Sequence, residues 1–271
     1  MEHPRVPIEL CECIIDFCDD WQSRFDPARV RDLLSCALTC QDWLPRSRLH
    51  LYRAVRIRTR KQLDCFVATL ALHPFLADFV EELVVGRASG SSATSEEKYL
   101  PFAQHALLSR LRRLKRLNIC YFHWQAHQPR FHTLVAQYPI VKLELIGGYF
   151  RTMADLFRVV WSFVDLRVLR LVNIERPEKP GPPLEGLISK RPRLCAKLEV
   201  VRIVGHALLA LAWFPPVGCF GTSLTKLKLT WAKELGDQPT EALLALVSAL
   251  KCLQGITWSR STLRHRKRRE S

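Results

Sequence analysis

A six-residue pattern, aliphatic-x-x-aliphatic-x-aliphatic, recurs seven times along this chain and limits its fold more than any other feature. It begins at Val80 ("VEELVV"), Leu114 ("LKRLNI"), Ile140 ("IVKLEL"), Leu166 ("LRVLRL"), Leu198 ("LEVVRI"), Leu224 ("LTKLKL") and Leu253 ("LQGITW"). With 48% of residues apolar, one copy arises by chance at about one site in nine, so a single match means little. The spacing of 34, 26, 26, 32, 26 and 29 residues means more. The two longest intervals carry the turn-rich inserts "GRASGSSATSE" and "ERPEKPGPP". Trimming them leaves a period in the twenties.

Helical patterns fill the intervals. Leu100, Ala103, Leu107 and Leu111 form one stripe; Phe131, Leu134, Val135 and Tyr138 form a second. Leu156, Phe157, Val160, Trp161 and Val164 form a third, opened by Thr152 and Asp155 at capping-box spacing. Leu243, Leu246, Val247 and Leu250 form a fourth after Thr240. Ahead of the first full copy, "AVRIR" (54–58) and then Leu63, Phe66, Val67 and Leu70 read as strand then helix. Strands joined by helical crossovers run parallel. The expected fold is α/β, a leucine-rich-repeat-like solenoid over residues 54–259 with parallel strands on its concave face and helices outside. A closed, doubly wound sheet is the alternative. No Gly-rich phosphate loop supports it, Gly147–Gly148 lacking the third glycine.

The first 53 residues differ in character. Pro7 suits a first helical turn, and Leu10, Ile14, Phe17 and Cys18 follow at helical spacing. Beyond "DDWQSRFDP", Val30, Leu33, Leu34, Ala37 and Leu38 share one face of a second helix that Pro45 should close, and Ser47 to Tyr52 suggest a short third. The segments "VPIELCECIIDFC" and "LLSCALTCQDWLPRSRLHLYR" together resemble an F-box. Val6, Pro7, Ile8, Glu9 and Leu10 stand where that family has Leu-Pro-x-Glu-Leu. Ile14 and Ile15 follow, and Thr39, Cys40 and Trp43 match its Val-Cys-x-x-Trp step behind Leu34 and Leu38. Leu51–Tyr52 stand at its closing Leu-Trp. The style is similar to expanded F-box-like families of mushroom-forming fungi. The link from Asp19 to Asp32 reads as longer than usual.

The resemblance implies a substrate-recognition subunit of a cullin-RING (SCF-type) ubiquitin ligase. It would hold a Skp-type adaptor, and through it a cullin scaffold, by Val6, Pro7, Ile8, Leu10, Ile14, Ile15, Leu34, Leu38, Cys40 and Trp43. It implies no catalytic centre and no cofactor in this chain. The repeats depart from the strict leucine-rich pattern: its Asn/Cys position holds Phe122, Gly148, Ile174, His206, Ala232 and Ser261.

Alternation places the residues flanking each middle aliphatic on the exposed sheet face. In order these are Arg116 and Asn118, Lys142 and Glu144, Val168 and Arg170, Val200 and Arg202, Lys226 and Lys228, and Gly255 and Thr257. Arg116, Lys142, Arg170, Arg202, Lys226 and Lys228 would form a cationic ladder for an acidic or phosphorylated protein substrate, with Arg170 and Arg202 adjacent on one phosphate. The net charge of +15 agrees with an acidic partner, and nucleic acid bound directly is a competing reading. A non-ligase interaction scaffold is another. The tail 260–271, ending "RHRKRRES", reads as disordered or as a nuclear import signal.

Chemistry finds little purchase. No GxSxG, HExxH, Walker or dinucleotide signature is present. His123 and His127 stand four apart without an acidic companion, and ten scattered cysteines lack paired CxxC spacing, so no metal site is expected. No apolar run reaches the ~18 residues of a membrane span, and the start lacks a signal-peptide core, so an intracellular protein (cytoplasm, nucleus or both) is expected and no membrane partner.

Overall fold

The computed structural model describes residues 7–18, 27–86, 107, 110–121, 137–174, 195–205, 220, 223–232 and 255–261. The chain opens with three helices: α1 (Ile8–Cys18), α2 (Pro27–Thr39) and α3 (Leu44–Arg53). The Pro7 carbonyl accepts the N–H groups of Leu10 and Cys11, starting α1 one residue after the proline.

Two expectations are corrected here. Pro45 does not close the second helix; α2 ends at Thr39, and Pro45 lies in the first turn of α3. There its missing N–H has no partner to lose. The link between α1 and α2 is shorter than the sequence suggested, because helix already begins at Pro27. Burial divides the apolar residues of these two helices. α1 buries Cys11 and Ile15, and α2 buries Arg29, Leu33 and Cys36, while Leu10, Ile14, Phe17, Val30, Leu34 and Leu38 stay exposed.

Ile15, Leu33 and Cys36 form a small core against which Cys18, Trp43 and Leu51 pack. Polar contacts tie its helices together. Arg46 of α3 donates from Nε and Nη2 to both carboxylate oxygens of Asp16 on α1, at 2.7 and 2.6 Å, and His50 Nε2 lies 2.7 Å from Oδ1. Arg46 above all, opposed by partial burial and helped by His50, holds the Asp16 carboxyl below its usual 3.8. Arg29 reaches from α2 to the His50 carbonyl.

Eight strands follow: β1 (Ala54–Ile57), β2 (Glu82–Gly86), β3 (Arg116–Cys120), β4 (Lys142–Ile146), β5 (Val168–Val172), β6 (Val200–Val204), β7 (Lys226–Ala232) and β8 (Gly255–Ser261). They form one sheet in the order of the sequence, every neighbouring pair parallel. A strict order of this kind means that each crossover steps one strand onward in the same sense. Right-handed crossovers then lie on the same face. The helices described between strands agree: α4 (Arg60–Leu72) and α5 (Met153–Ser162) share a core with the strand aliphatics.

The repeated pattern explains that core. Its first aliphatic sits in the turn before each strand and the other two point inward along it. Leu114, Leu117 and Ile119 are fully buried, as are Ile140, Leu143 and Leu145, and the copies beginning at Val80, Leu166, Leu198 and Leu224 are closed to the same degree. Leu117, Leu143, Leu169, Val201 and Leu227 stand side by side across five strands. Thr152 caps α5 as expected, accepting from the Asp155 N–H while Asp155 Oδ2 accepts from the Thr152 N–H, both at 3.2 Å. Leu156, Phe157, Val160 and Trp161 are buried beyond it, and Phe157 meets Phe220 edge to face at 5.7 Å. Val164, expected in the same stripe, lies past the helix end and is exposed. Of the other expected stripes, Leu107, Leu111 and Tyr138 are buried; Leu100, Ala103, Phe131, Leu134, Val135 and the stripe from Leu243 to Leu250 lie outside the described residues.

A backbone hydrogen-bond ladder runs along the ends of the strands. Tyr121, Gly147, Asn173 and Gly205, each directly after a strand, all adopt left-handed φ between 48° and 77°. The N–H groups of the first three bond the last carbonyls of the following strands, those of Ile146, Val172 and Val204. Large and small residues alternate along it: a Cβ on Gly147 would lie 2.5 Å from the Tyr121 ring, and one on Gly205 1.8 Å from Asn173 Oδ1. At the other end of the strands, one carbonyl in each unit accepts the N–H groups that open the next strand. Glu81, Lys115, Val141, Arg167 and Glu199 provide these.

That second ladder begins at Arg53, whose carbonyl accepts the Glu81 N–H. Its guanidinium also meets the Glu81 carboxylate at 3.1 Å, and Tyr52 packs on the main core. The last turn of α3 is thus built into the edge of the sheet, with no linker at residue 53. The far end is corrected too. Arg260 and Ser261, expected in the tail, belong to β8 and pair with Trp231 and Ala232; residues 262–271 lie outside the described residues.

Candidate functional site

Two surfaces collect the residues singled out from the sequence. The first lies on α1 and α2. Leu10, Ile14 and Phe17 run along α1 beside its buried face, at 55%, 47% and 90% exposure, and Val30, Leu34 and Leu38 run likewise along α2. These positions recur at i, i+4, i+7 or i, i+4, i+8, so each set is one continuous helical stripe. Large apolar residues in two exposed rows on a unit with so small a core are unusual for a surface that meets only water. Pro7, Ile8 and Cys40 are exposed as well.

Two residues expected in that group sit elsewhere. Ile15 is 1% exposed and forms the centre of the small core, so it supports the surface from beneath and cannot touch a partner. Trp43 is half-buried, packed on that core from the loop before α3. Val6 lies outside the described residues. Phe17 and Val30, absent from the expected contact set, complete the two exposed rows; both lie on the apolar stripes already legible in the sequence.

The second surface is the sheet face turned away from α4 and α5. Its central row, in register from β1 to β7, reads Arg56, Val84, Asn118, Glu144, Arg170, Arg202 and Lys228. The row before it reads Ala54, Glu82, Arg116, Lys142, Val168, Val200 and Lys226. The six expected cations are therefore brought onto one face, and Arg170 and Arg202 are register partners. They do not form one uniform ladder.

Over β2 to β4 the face is closed and its charge is compensated. Glu82, Val84, Asn118 and Glu144 are buried. Asn118 Nδ2 donates to Glu82 Oε1 at 3.0 Å, and Arg116 lies 3.6 Å from Glu82 Oε2. Glu144 takes a 2.6 Å hydrogen bond from Arg170 Nη1. Glu82 holds the outward position of the first copy of the pattern, so alternation along β2 is the signal that puts it on this face. Arg170, expected to grip a phosphate with Arg202, already holds a carboxylate of its own chain. Over β6 and β7, Arg202 and Lys226 are exposed and Lys228 half-exposed, with no ion pair among the described residues.

Reactive groups are scarce here. Burial pushes the Cys120 thiol up to about 11 and that of Cys195 to about 12. Both stay protonated; Cys195 belongs to the main core, whereas Cys120 shares the outward side of β3 with Arg116 and Asn118. Among the described residues no group of His, Cys, Asp and Glu could hold a metal ion, and no helix is long and apolar enough to cross a membrane. His123 and His127 lie outside the described residues. No protein-family model and no curated protein matches this chain.

Proposed function

We propose that this chain is the substrate-recognition subunit of a cullin-RING (SCF-type) ubiquitin ligase, in which α1 to α3 dock a Skp-type adaptor and the sheet carries a protein substrate. The observation that carries the reading is the pair of exposed apolar rows, Leu10–Ile14–Phe17 and Val30–Leu34–Leu38. All but Val30 fall within the two segments that resemble an F-box, and a partner helix laid across them would remove their apolar surface from water. We take the parallel array from β1 to β8 as a degenerate leucine-rich-repeat solenoid with its charged strand face on the concave side. The sequential strand order and the αL ladder support that reading. The ligase chemistry then belongs to other subunits.

The test uses the full chain co-expressed with a Skp-type adaptor. Leu10→Glu with Leu38→Glu places two charges on the exposed rows, where folding loses little, and should abolish co-purification while leaving the circular dichroism spectrum unchanged. Arg202→Glu, on the sheet, should leave adaptor capture intact. Undiminished capture by the double variant would sink the docking surface.

A further inference from the structure

We propose that the open strand face of β5 to β7 binds an acidic amphipathic helix of a partner protein, its carboxylates on Arg170, Arg202 and Lys228 and its apolar flanks on the valine rows to either side. The inference deepens the receptor reading and rests on it only in taking the partner to be a protein.

Accessibility sets the position. The central row is buried at Val84, Asn118 and Glu144 and opens from Arg170 onward. A ligand on this face therefore meets β5 to β7 and not the β2 to β4 half. Composition sets the chemistry. Arg170, Arg202 and Lys228 form a line of cations across three strands. Beside them run Val168 and Val200 on one side and Val172 and Val204 on the other, all half-exposed, with Thr230 completing the second row on β7. Lys226 closes the first of these rows. A cationic line between two aliphatic rails matches acids flanked by apolar residues. It offers a nucleic acid no described aromatic ring on which to stack a base.

Spacing sets the conformation. Neighbouring strands lie about 4.8 Å apart, so the three cations stand at roughly 0, 4.8 and 9.6 Å along the line. Carboxylates at i, i+3 and i+7 of an α-helix project from one side at roughly 0, 4.5 and 10.5 Å, a match within about 1 Å. An extended peptide presents same-side residues every ~6.7 Å and overshoots the third cation by about 4 Å. Width agrees: a helix is about 10–12 Å across, and the aliphatic rails stand two residues, about 6.6 Å, to either side of the line. The hydrogen bond to Glu144 holds the Arg170 guanidinium at the edge of the open stretch and uses its Nη1; a guanidinium carries further N–H donors for a second carboxylate.

The experiment is fluorescence anisotropy on the full chain with labelled helix-forming peptides of about four turns. One carries Glu at i, i+3 and i+7 between leucines. A second, of the same composition, has the glutamates moved to the opposite helix face. A proline-interrupted acidic peptide, a phosphoserine peptide and a single-stranded RNA are the further probes. The registered helix should bind at least about tenfold more tightly than each of the others. Arg202→Glu with Lys228→Glu, and separately Val172→Asp with Val204→Asp, should each cost a comparable factor. Arg202→Gln with Lys228→Gln serves where charge reversal unfolds the chain. Equal binding of the two helices, preference for the phosphopeptide or the RNA, or indifference to the valine changes would overturn the proposal. Adaptor co-purification is read separately, so failure of the receptor reading and failure of this one give different results.

Discussion

Asp16 joins α1 to α3 through Arg46 and His50, so its protonation is felt by the whole helical unit. Because Arg46 lowers the folded-state pKa, the unfolded chain takes up the proton first as pH falls. The stabilisation is complete above the ordinary carboxylate pKa and is lost as pH drops through the lower folded value. Asp16→Asn should cost about 1 kcal/mol at neutral pH, a modest figure because the carboxylate is 42% exposed and screened by water. Urea midpoints measured from neutral pH to below about pH 4 should converge between wild type and variant. Gly205 makes a second case. Its φ of +77° and the Asn173 oxygen 1.8 Å from a notional Cβ leave no room for alanine, so Gly205→Ala should destabilise by about 1–3 kcal/mol. Asn173 is itself left-handed, and glycine suits that conformation, so Asn173→Gly should relieve the overlap. The double variant should then lose less stability than the sum of the two singles in a denaturation cycle.

Helices α1 and α2 separate stability from recognition by side-chain position. Ile15→Ala should cost about 2–5 kcal/mol by opening a cavity in a small core. Leu38→Ala, at 86% exposure, should stay within about 0.5 kcal/mol. The thermal melts of the two variants check both. Strands β4 and β5 contrast similarly. Arg170→Met strands the buried Glu144 without its cation, whereas Glu144→Gln leaves Arg170 with water at hand. The arginine change should therefore be the more damaging, by about 1–3 kcal/mol in urea titrations. The strands and α5 were legible beforehand because each had a complete local signal, an aliphatic period with a turn or a capping box. On α1 and α2 the apolar stripes were legible, but not which of their residues turn inward. Each helix carries more apolar residues than its own packing needs, and periodicity alone does not say which stripe meets the neighbour.

Arg53 belongs to α3 and to the sheet at once, and this shapes the molecule as a whole. A fragment ending at residue 53 leaves Tyr52 without the core it packs on and Arg53 without Glu81. It should show weaker amide protection across α3 than the full chain does, measurable by hydrogen exchange. From its own residues the chain dictates parallel strands in series, because each copy of the pattern puts three aliphatics on one side and cannot cover them alone. It equally dictates which outward residues share a face, since alternation along a strand is a property of the backbone. Tertiary contacts decided which of those outward charges stay open. Glu82 and Glu144 stand 26 or more residues along the chain from the arginines they meet, Arg116 and Arg170, and no local pattern carries that information. Charge compensation and burial depend on what stands next to a side chain in space, and the fold alone brings those neighbours together.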